Sequence, residues 1–323
     1  MANPIWKDYF VKLFRDAKVE YRILDQTGNM IYSGVAFKKP GDTHCIIKLN
    51  DLVTFAKASL SLEKTLKKTE SAQEARLSLQ VLNGGIEWED WDNYSFLNDW
   101  SYDYQHDPER DGLYAPINCR VAKNTWLTRT VYCSEPGLFF EMQTSDGRVI
   151  ELDIECTVGT YVTIQIYIPA YEEAEKLIGI DFPDTLYKVV DTCSRYTLYY
   201  VNAYGGWDSF LIEGNHKESD AITRHERDVI YDNSAIVNRG KMNYANEIAK
   251  TITLHTSWLS DDESQRMHHL LNSTNVYLYD SVRDEMMPVV ISNTNLEYKT
   301  YKNTGNSLVS YDIEVKLADR IRR

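Results

Sequence analysis

Three carboxylates come closest to a recognisable chemistry. In the run Glu151-Leu152-Asp153-Ile154-Glu155-Cys156 acids alternate with neighbours that are apolar or a thiol, so a strand there would carry Glu151, Asp153 and Glu155 on one face. Paired carboxylates are what glycoside hydrolysis needs, one as acid and the other as base or nucleophile. The solvated face of a half-buried strand produces the same alternation, and no opposing acid or cleft is marked, so that face is the expectation. His268 and His269 are adjacent and diverge on a helix, unlike an i, i+4 pair that shares a metal. Gly205-Gly206 has no GxGxxG or GKS/GKT setting and reads as a hairpin turn with positive φ at both positions. Cys45, Cys119, Cys133, Cys156 and Cys193 are odd in number and form no CxxC pair, which suggests reduced thiols in a cytosol. No GxSxG elbow, HExxH or HxE…CxxC pattern is present. The expectation is a protein without enzymatic activity, cofactor or metal, with no catalytic residue to name.

The elements that would carry these groups are strands. Val19–Leu24 and Met30–Phe37 read as a hairpin turning at Gln26–Asn29, and His44–Leu49 as a further strand. Asn50-Asp51 can cap a short helix through Phe55–Ala58, and the charged stretch Glu63–Gln73 reads as a surface excursion. Dense β pattern runs from Val121 to Ile168, followed by a one- or two-turn helix over Tyr171–Ile178 ended by Gly179. Cys193–Tyr204 and Trp207–Glu213 flank the glycine pair. Ser260-Asp261-Asp262-Glu263 is a capping box opening a helix to about Asn272, with Met267, Leu270 and Leu271 toward a sheet. Asn295–Tyr301 and Leu308–Ala318 form a last hairpin turning at Asn303–Asn306. The fold class expected is mainly β, two or three sandwich- or barrel-like domains with a few short helices: 1–115, 116–183 and 184–323.

The most biased segment is Glu87–Asp111, with nine acids against Arg110 alone and seven aromatics: Trp88, Trp91, Tyr94, Phe96, Trp100, Tyr102 and Tyr104. Two readings stand open. In one, a strand pair with acidic loops uses its rings to cover a core. In the other, the rings and acids form a solvent-facing contact surface, since aromatic rings offer rigid contact area at low entropy cost. At the far end Lys299, Lys302, Lys316, Arg320, Arg322 and Arg323 face three acids.

Composition narrows the functional classes. The 323 residues hold 35 Lys plus Arg against 48 Asp plus Glu, a net charge of −13 that would repel a phosphate backbone. Nucleic-acid binding is therefore disfavoured. Hydrophobic residues at 43% and charged ones at 26% suit a chain that buries real cores. The 23 tyrosines stand out and favour strands and contact surfaces. MANPIWKDYFVKLF lacks the pattern of a signal peptide, and no apolar run reaches membrane-helix length, so a soluble chain without membrane insertion is expected.

Five stretches carry a resemblance over most of the chain: NPIWKDYFV, MIYSGVAFKKPGD followed by KLNDL, YSFLNDWSYD, SRYTLYYVNAYGGWDSFLIEGN, and LEYKTYKNTGNSLVSYDIEVKLADRIRR. Taken in this order they resemble a family of structural proteins encoded beside tail genes in phages and prophages of gut anaerobic bacteria, similar to distal tail proteins. The resemblance implies a virion tail or baseplate component, assembled in the host cytoplasm as a homo-oligomer, a ring by expectation, beside other tail proteins. It transfers no functional residue. Contact residues expected from type and place are Trp88, Trp91, Trp100, Tyr102, Tyr104, Trp207, Arg320, Arg322 and Arg323. The rival reading is a carbohydrate-binding or host-surface adhesion protein, in which Trp88, Trp91 and Trp100 would stack on a host-surface glycan.

Overall fold

The computed structural model describes residues 3–5, 7–14, 18–53, 55, 60, 67–70, 74–83, 86–103, 105, 107–108, 113, 119–144, 149–168, 174–179, 187–190, 194–229, 240–293, 309–317 and 321–322. The protein is mainly β, in several multi-stranded antiparallel sheets, with Asn3–Pro4 pairing parallel to its neighbour, and the expected fold class is found. The chain divides into two compact units: 1–116 with 126–188 and 201–208, and 117–125 with 189–200 and 209–323.

In the first unit a five-stranded sheet runs in the order Asn3–Pro4, Glu87–Leu97, Glu74–Asn83, Lys18–Leu24, Met30–Phe37. Its inner face follows from period-two patterning. In KVEYRIL the buried positions are Val19, Tyr21 and Ile23, and the polar residues between them turn outward. A two-stranded layer, Phe10–Leu13 with Cys45–Lys48, supplies Val11, Leu13, Cys45 and Ile47 to the same core as Leu79, Val81 and Phe96. Each such fully buried aliphatic or aromatic side chain stabilises by about 1.5–3 kcal/mol.

Where a short helix from Asn50 through Phe55–Ala58 is expected, the structure describes a 3-10 turn, Asn50–Leu52, and residues 54 and 56–58 lie outside the described residues. The Asn50 side chain does not cap it. Its oxygen accepts the Tyr9 N–H at 2.5 Å and its amide donates to the carbonyls of Ile5 and Lys7 at 2.8 and 2.6 Å, so it fastens the incoming amino-terminal chain.

Two further sheets belong to this unit. Trp126–Tyr132 pairs with Tyr161–Tyr167, both buried on both faces, and Lys67–Glu70 joins the latter. That four-residue strand corrects part of the excursion expected at Glu63–Gln73: pairing with a buried neighbour outweighs its charged composition. The remainder of that segment lies outside the described residues. Leu138–Thr144 pairs with Val149–Ile154 and with Ala174–Gly179. Ala174–Gly179 is thus a strand where a helix over Tyr171–Ile178 is expected, because ladder hydrogen bonds to Leu138–Thr144 override the helix preference of Ala, Glu, Lys and Leu.

The glycine turn also differs from expectation. Residues 202–206 form a longer loop in which only Gly205 has positive φ, at +88°. The Asn202 side-chain oxygen accepts the Tyr204 and Gly206 N–H groups and its amide donates to the Leu113 carbonyl. Gly206 is required for space, since a Cβ there would stand 2.0 Å from the Leu113 carbonyl oxygen.

The second unit is built on an eight-stranded sheet. Its order is Trp207–Leu211, Tyr196–Val201, Val276–Asp280, Glu285–Ile291, Asp312–Leu317, Gly240–His255, His216–Val229, with Ile321–Arg322 also pairing Gly240–His255. The tip of its first hairpin, 201–208, counts with the first unit. The helix Asp261–Leu271 opens on the expected capping box, Ser260 accepting from the Glu263 N–H and Glu263 reaching back to the Ser260 N–H. Met267 and Leu270 sink into the core with Leu198, Leu254, Leu278 and Ile313. The last hairpin expected at 295–318 is described only from Val309 to Leu317.

Candidate interaction surfaces

The expected contact residues do not form one surface. Trp88 and Trp91 lie on the Glu87–Leu97 strand, both half-buried. The Trp88 ring is covered by its own molecule: the Arg22 guanidinium sits 4.5 Å from the ring centroid while its Nε donates to Gln80 at 2.6 Å. Trp91 packs against the first core. Trp100 is half-buried, with its backbone N–H on the Ala203 carbonyl at 2.7 Å. Trp207 is only 3% exposed, its N–H held by the Thr130 hydroxyl at 3.0 Å, so it is a core residue and not a contact ring. The reason is the turn: Gly206 brings the chain against Leu113 and leaves the next ring inside.

Among the described rings of that set Tyr102 alone stands well out, 67% exposed on a backbone with φ +57°. Tyr104, Arg320 and Arg323 lie outside the described residues. Arg322 pairs in register with Glu247, and its side chain is not described. For Glu87–Leu97, then, both sequence readings apply to different residues: rings turn to the core, while Glu87, Asp90 and Asp92 face solvent.

The carboxylate face is likewise solvated. Glu151, Asp153 and Glu155 are exposed, as a strand's outer face would be. Among the described residues no group of three His, Cys, Asp or Glu side chains could hold a metal, and no helix is long and apolar enough to cross a membrane.

Two strand edges carry more information than the expected residues. The first is Met30–Phe37, the end of its sheet, with Met30, Ile31, Tyr32, Val35 and Phe37 all exposed. Its signal in the sequence was an eight-residue run without a charge or a proline. The second is His216–Val229, the edge of the large sheet and its long ribbon with Gly240–His255. HKESDAITRHERDV lacks alternation, which hid it as a strand. Asp312–Leu317 supports the partner strand only over Thr251–His255, and Ile321–Arg322 only at Glu247 and Ile248. From Arg224 and Asn246 outward, no other described strand joins the ribbon, a stretch of about 20 Å at strand rise. Ile222, Met242 and Tyr244 are exposed on it.

A charged network anchors the ribbon's base. Arg195 grips Asp280 with Nε to Oδ1 at 3.0 Å and Nη2 to Oδ2 at 2.7 Å, and reaches Glu218 of the edge strand at 3.2 Å. Tyr196 donates its hydroxyl to Glu218 at 3.0 Å. Burial works to raise the Asp280 pKa. The guanidinium and the N–H groups of Val282 and Arg283 outweigh it and hold the carboxyl below the usual range. Burial and the bond to Glu218 push the Tyr196 phenol up to about 12. A second cluster joins Arg120 to Glu213 and to the helix-capping Glu263, the latter at 2.6 Å, with Ser257 on Glu213 at 2.7 Å.

No protein-family model matches the chain, and none of the curated proteins matches it.

Proposed function

We propose that this chain is a non-enzymatic structural subunit of an oligomeric phage tail or baseplate, made in the host cytoplasm and housed in the virion tail. It would meet copies of itself, in a ring, and other tail proteins. The observation that carries this reading is the ribbon His216–Val229/Gly240–His255. A two-stranded ribbon is marginal in water by itself, yet this one continues past its sheet with Met242 and Tyr244 exposed. Among the described residues no strand joins this arm, which suits contact with a neighbour. The order of the sequence stretches resembling tail proteins supports the same reading.

The test is to purify particles from a host producing the phage or prophage, identify their proteins by mass spectrometry, and measure the purified chain by light scattering. The expected result is this chain in the particles and a discrete oligomer in solution or on the particle. A monomer absent from particles ends the reading. Glycan-array binding lost on Trp100→Ala would replace it with the carbohydrate-binding rival.

A further inference from the structure

The first unit ends in a strand that lacks every usual protection of a sheet edge over its regular length. Exposed edges are normally blunted by lysines, prolines, bulges or a covering segment, because their free N–H and C=O groups template another strand. Met30–Phe37 holds no charge and no proline. Its ladder with Lys18–Leu24 is regular from Tyr32 to Phe37 and shifts only at Ile31. Among the described residues no strand hydrogen-bonds to its outer side, although Cys45–Lys48, the next strand in the chain, comes near Met30–Phe37. Met30 and Phe37 are 59% and 68% exposed, and Tyr32 and Val35 about four-tenths.

We infer that this edge is a strand-pairing surface for a second copy of the same chain, the two Met30–Phe37 strands meeting antiparallel across a two-fold axis. The inference rests on the self-association proposed above for its occupant. Charge selects that occupant. Each copy carries −13, so two copies approach most readily where neither presents charge, and the Tyr32–Phe37 stretch is such a place. Symmetry is also satisfied. A two-fold normal to the sheet keeps inner faces with inner faces, so residues of equal parity oppose one another. Ser33 and Val35 then meet Ser33 or Val35 of the second copy on the outer face, where Lys18, Glu20 and Arg22 of the neighbouring strand already point. Beyond the strand, Lys38 and Lys39 run alongside the other copy's turn, whose one charge is Asp25. That carboxylate is kept ionised by hydrogen bonds from Thr27 and Asn29.

Cysteine placement reads the contact directly. Single Ser33→Cys, single Val35→Cys and the double variant cover the three central registers, in each of which opposing Cα atoms stand at disulfide distance. One of them is expected to form a disulfide-linked dimer on mild oxidation, while the parent, with its own cysteines, does not. Val35→Lys places its ammonium opposite Glu20 in its own sheet, which spares the fold, and sets two ammonium groups near the two-fold. It should weaken self-association by about 100-fold in sedimentation, with the thermal midpoint of the monomer unchanged.

Failure of all three cysteine variants to cross-link, or undiminished association of Val35→Lys, overturns the inference. So does protection of Tyr32–Phe37 amides from hydrogen exchange in a monomer, which would show the chain's own residues covering the edge. In all of these cases an oligomer that still forms, or a chain still found in particles, leaves the tail reading standing. A chain that is monomeric and absent from particles removes both.

Discussion

The two sheet edges of this molecule are opposites. Met30–Phe37 is short, neutral and apolar, whereas His216–Val229 presents Lys217, Glu218, Asp220, Arg224, Glu226, Arg227 and Asp228 along fourteen residues. Both are solvent-facing, so exposure alone does not separate them. Charge does: an unpaired edge laced with both signs resists adding a strand in water, and one without charge invites it. Each edge leans on a buried tyrosine, Tyr21 from the strand paired with the short edge and Tyr196 from a strand that does not pair with the long one. Tyr21 packs on Tyr32 with ring centroids 5.9 Å apart, and Tyr196 holds Glu218. The long edge has in addition the Arg195–Asp280 anchor, which the short one lacks.

The anchor gives the largest expected effect. Asp280→Ala strips a fully buried carboxylate from Arg195 and should cost the second unit about 3–5 kcal/mol, read as an earlier urea midpoint. Proteolytic resistance of the Met30–Phe37 sheet should be retained. Equal loss in both units would mean that the edges are not independently supported.

Removing the protection tests the contrast itself. Lys217→Val, Arg224→Val and Arg227→Val together should add edge-to-edge strand pairing to the contact proposed for the ribbon's exposed side chains, with concentration-dependent sedimentation at least about 10-fold stronger than the parent's. Unchanged sedimentation would show that charge is not what keeps that edge single.

Acid and base should separate the two regions by sign. Asp280 has a folded pKa below its unfolded value of about 3.9, so its stabilisation is present above that value and lost as pH falls through the folded one. The long edge should loosen more there, because Asp25 beside the short edge, although also held below the usual range, is half-buried whereas Asp280 is fully buried. Tyr21 and Tyr196 are both raised to about 12, chiefly by burial, so what they contribute is complete below the unfolded pKa of about 10 and lost as pH rises toward 12. Both edges should loosen in that window. Amide exchange measured against pH in the two strands would show it, and an acid effect on Met30–Phe37 equal to that on His216–Val229 would contradict it.

The smallest effect is Tyr196→Phe. It removes one hydrogen bond to Glu218, which keeps Arg195, and should cost about 1 kcal/mol with no change in the short edge. A loss several times larger would make the hydroxyl, and not the arginine, the centre of the anchor.

Much of the fold was legible in the residues. Alternation in KVEYRIL, the capping box at Ser260–Glu263 and the aromatic, β-prone run YTLYYV each follow from local rules that the structure obeys. Ala174–Gly179 was not legible, because its helix preference yields to pairing with a strand more than thirty residues earlier. Trp207 looked like a contact ring since composition cannot tell a buried aromatic from an exposed one. Its fate hangs on Gly206 meeting Leu113, a contact across more than ninety residues.

By itself the sequence determined a mainly β chain, an acidic molecule, the helix at 261–271 and an uncharged run at 30–37, because these depend on periodicity, charge and capping within a few residues. Only the tertiary structure decided that the uncharged run lies at a sheet's open end and that a charged, pattern-free segment is a fourteen-residue edge strand. Which strand is last in a sheet is a property of pairings between distant segments, and no local pattern encodes where pairing stops.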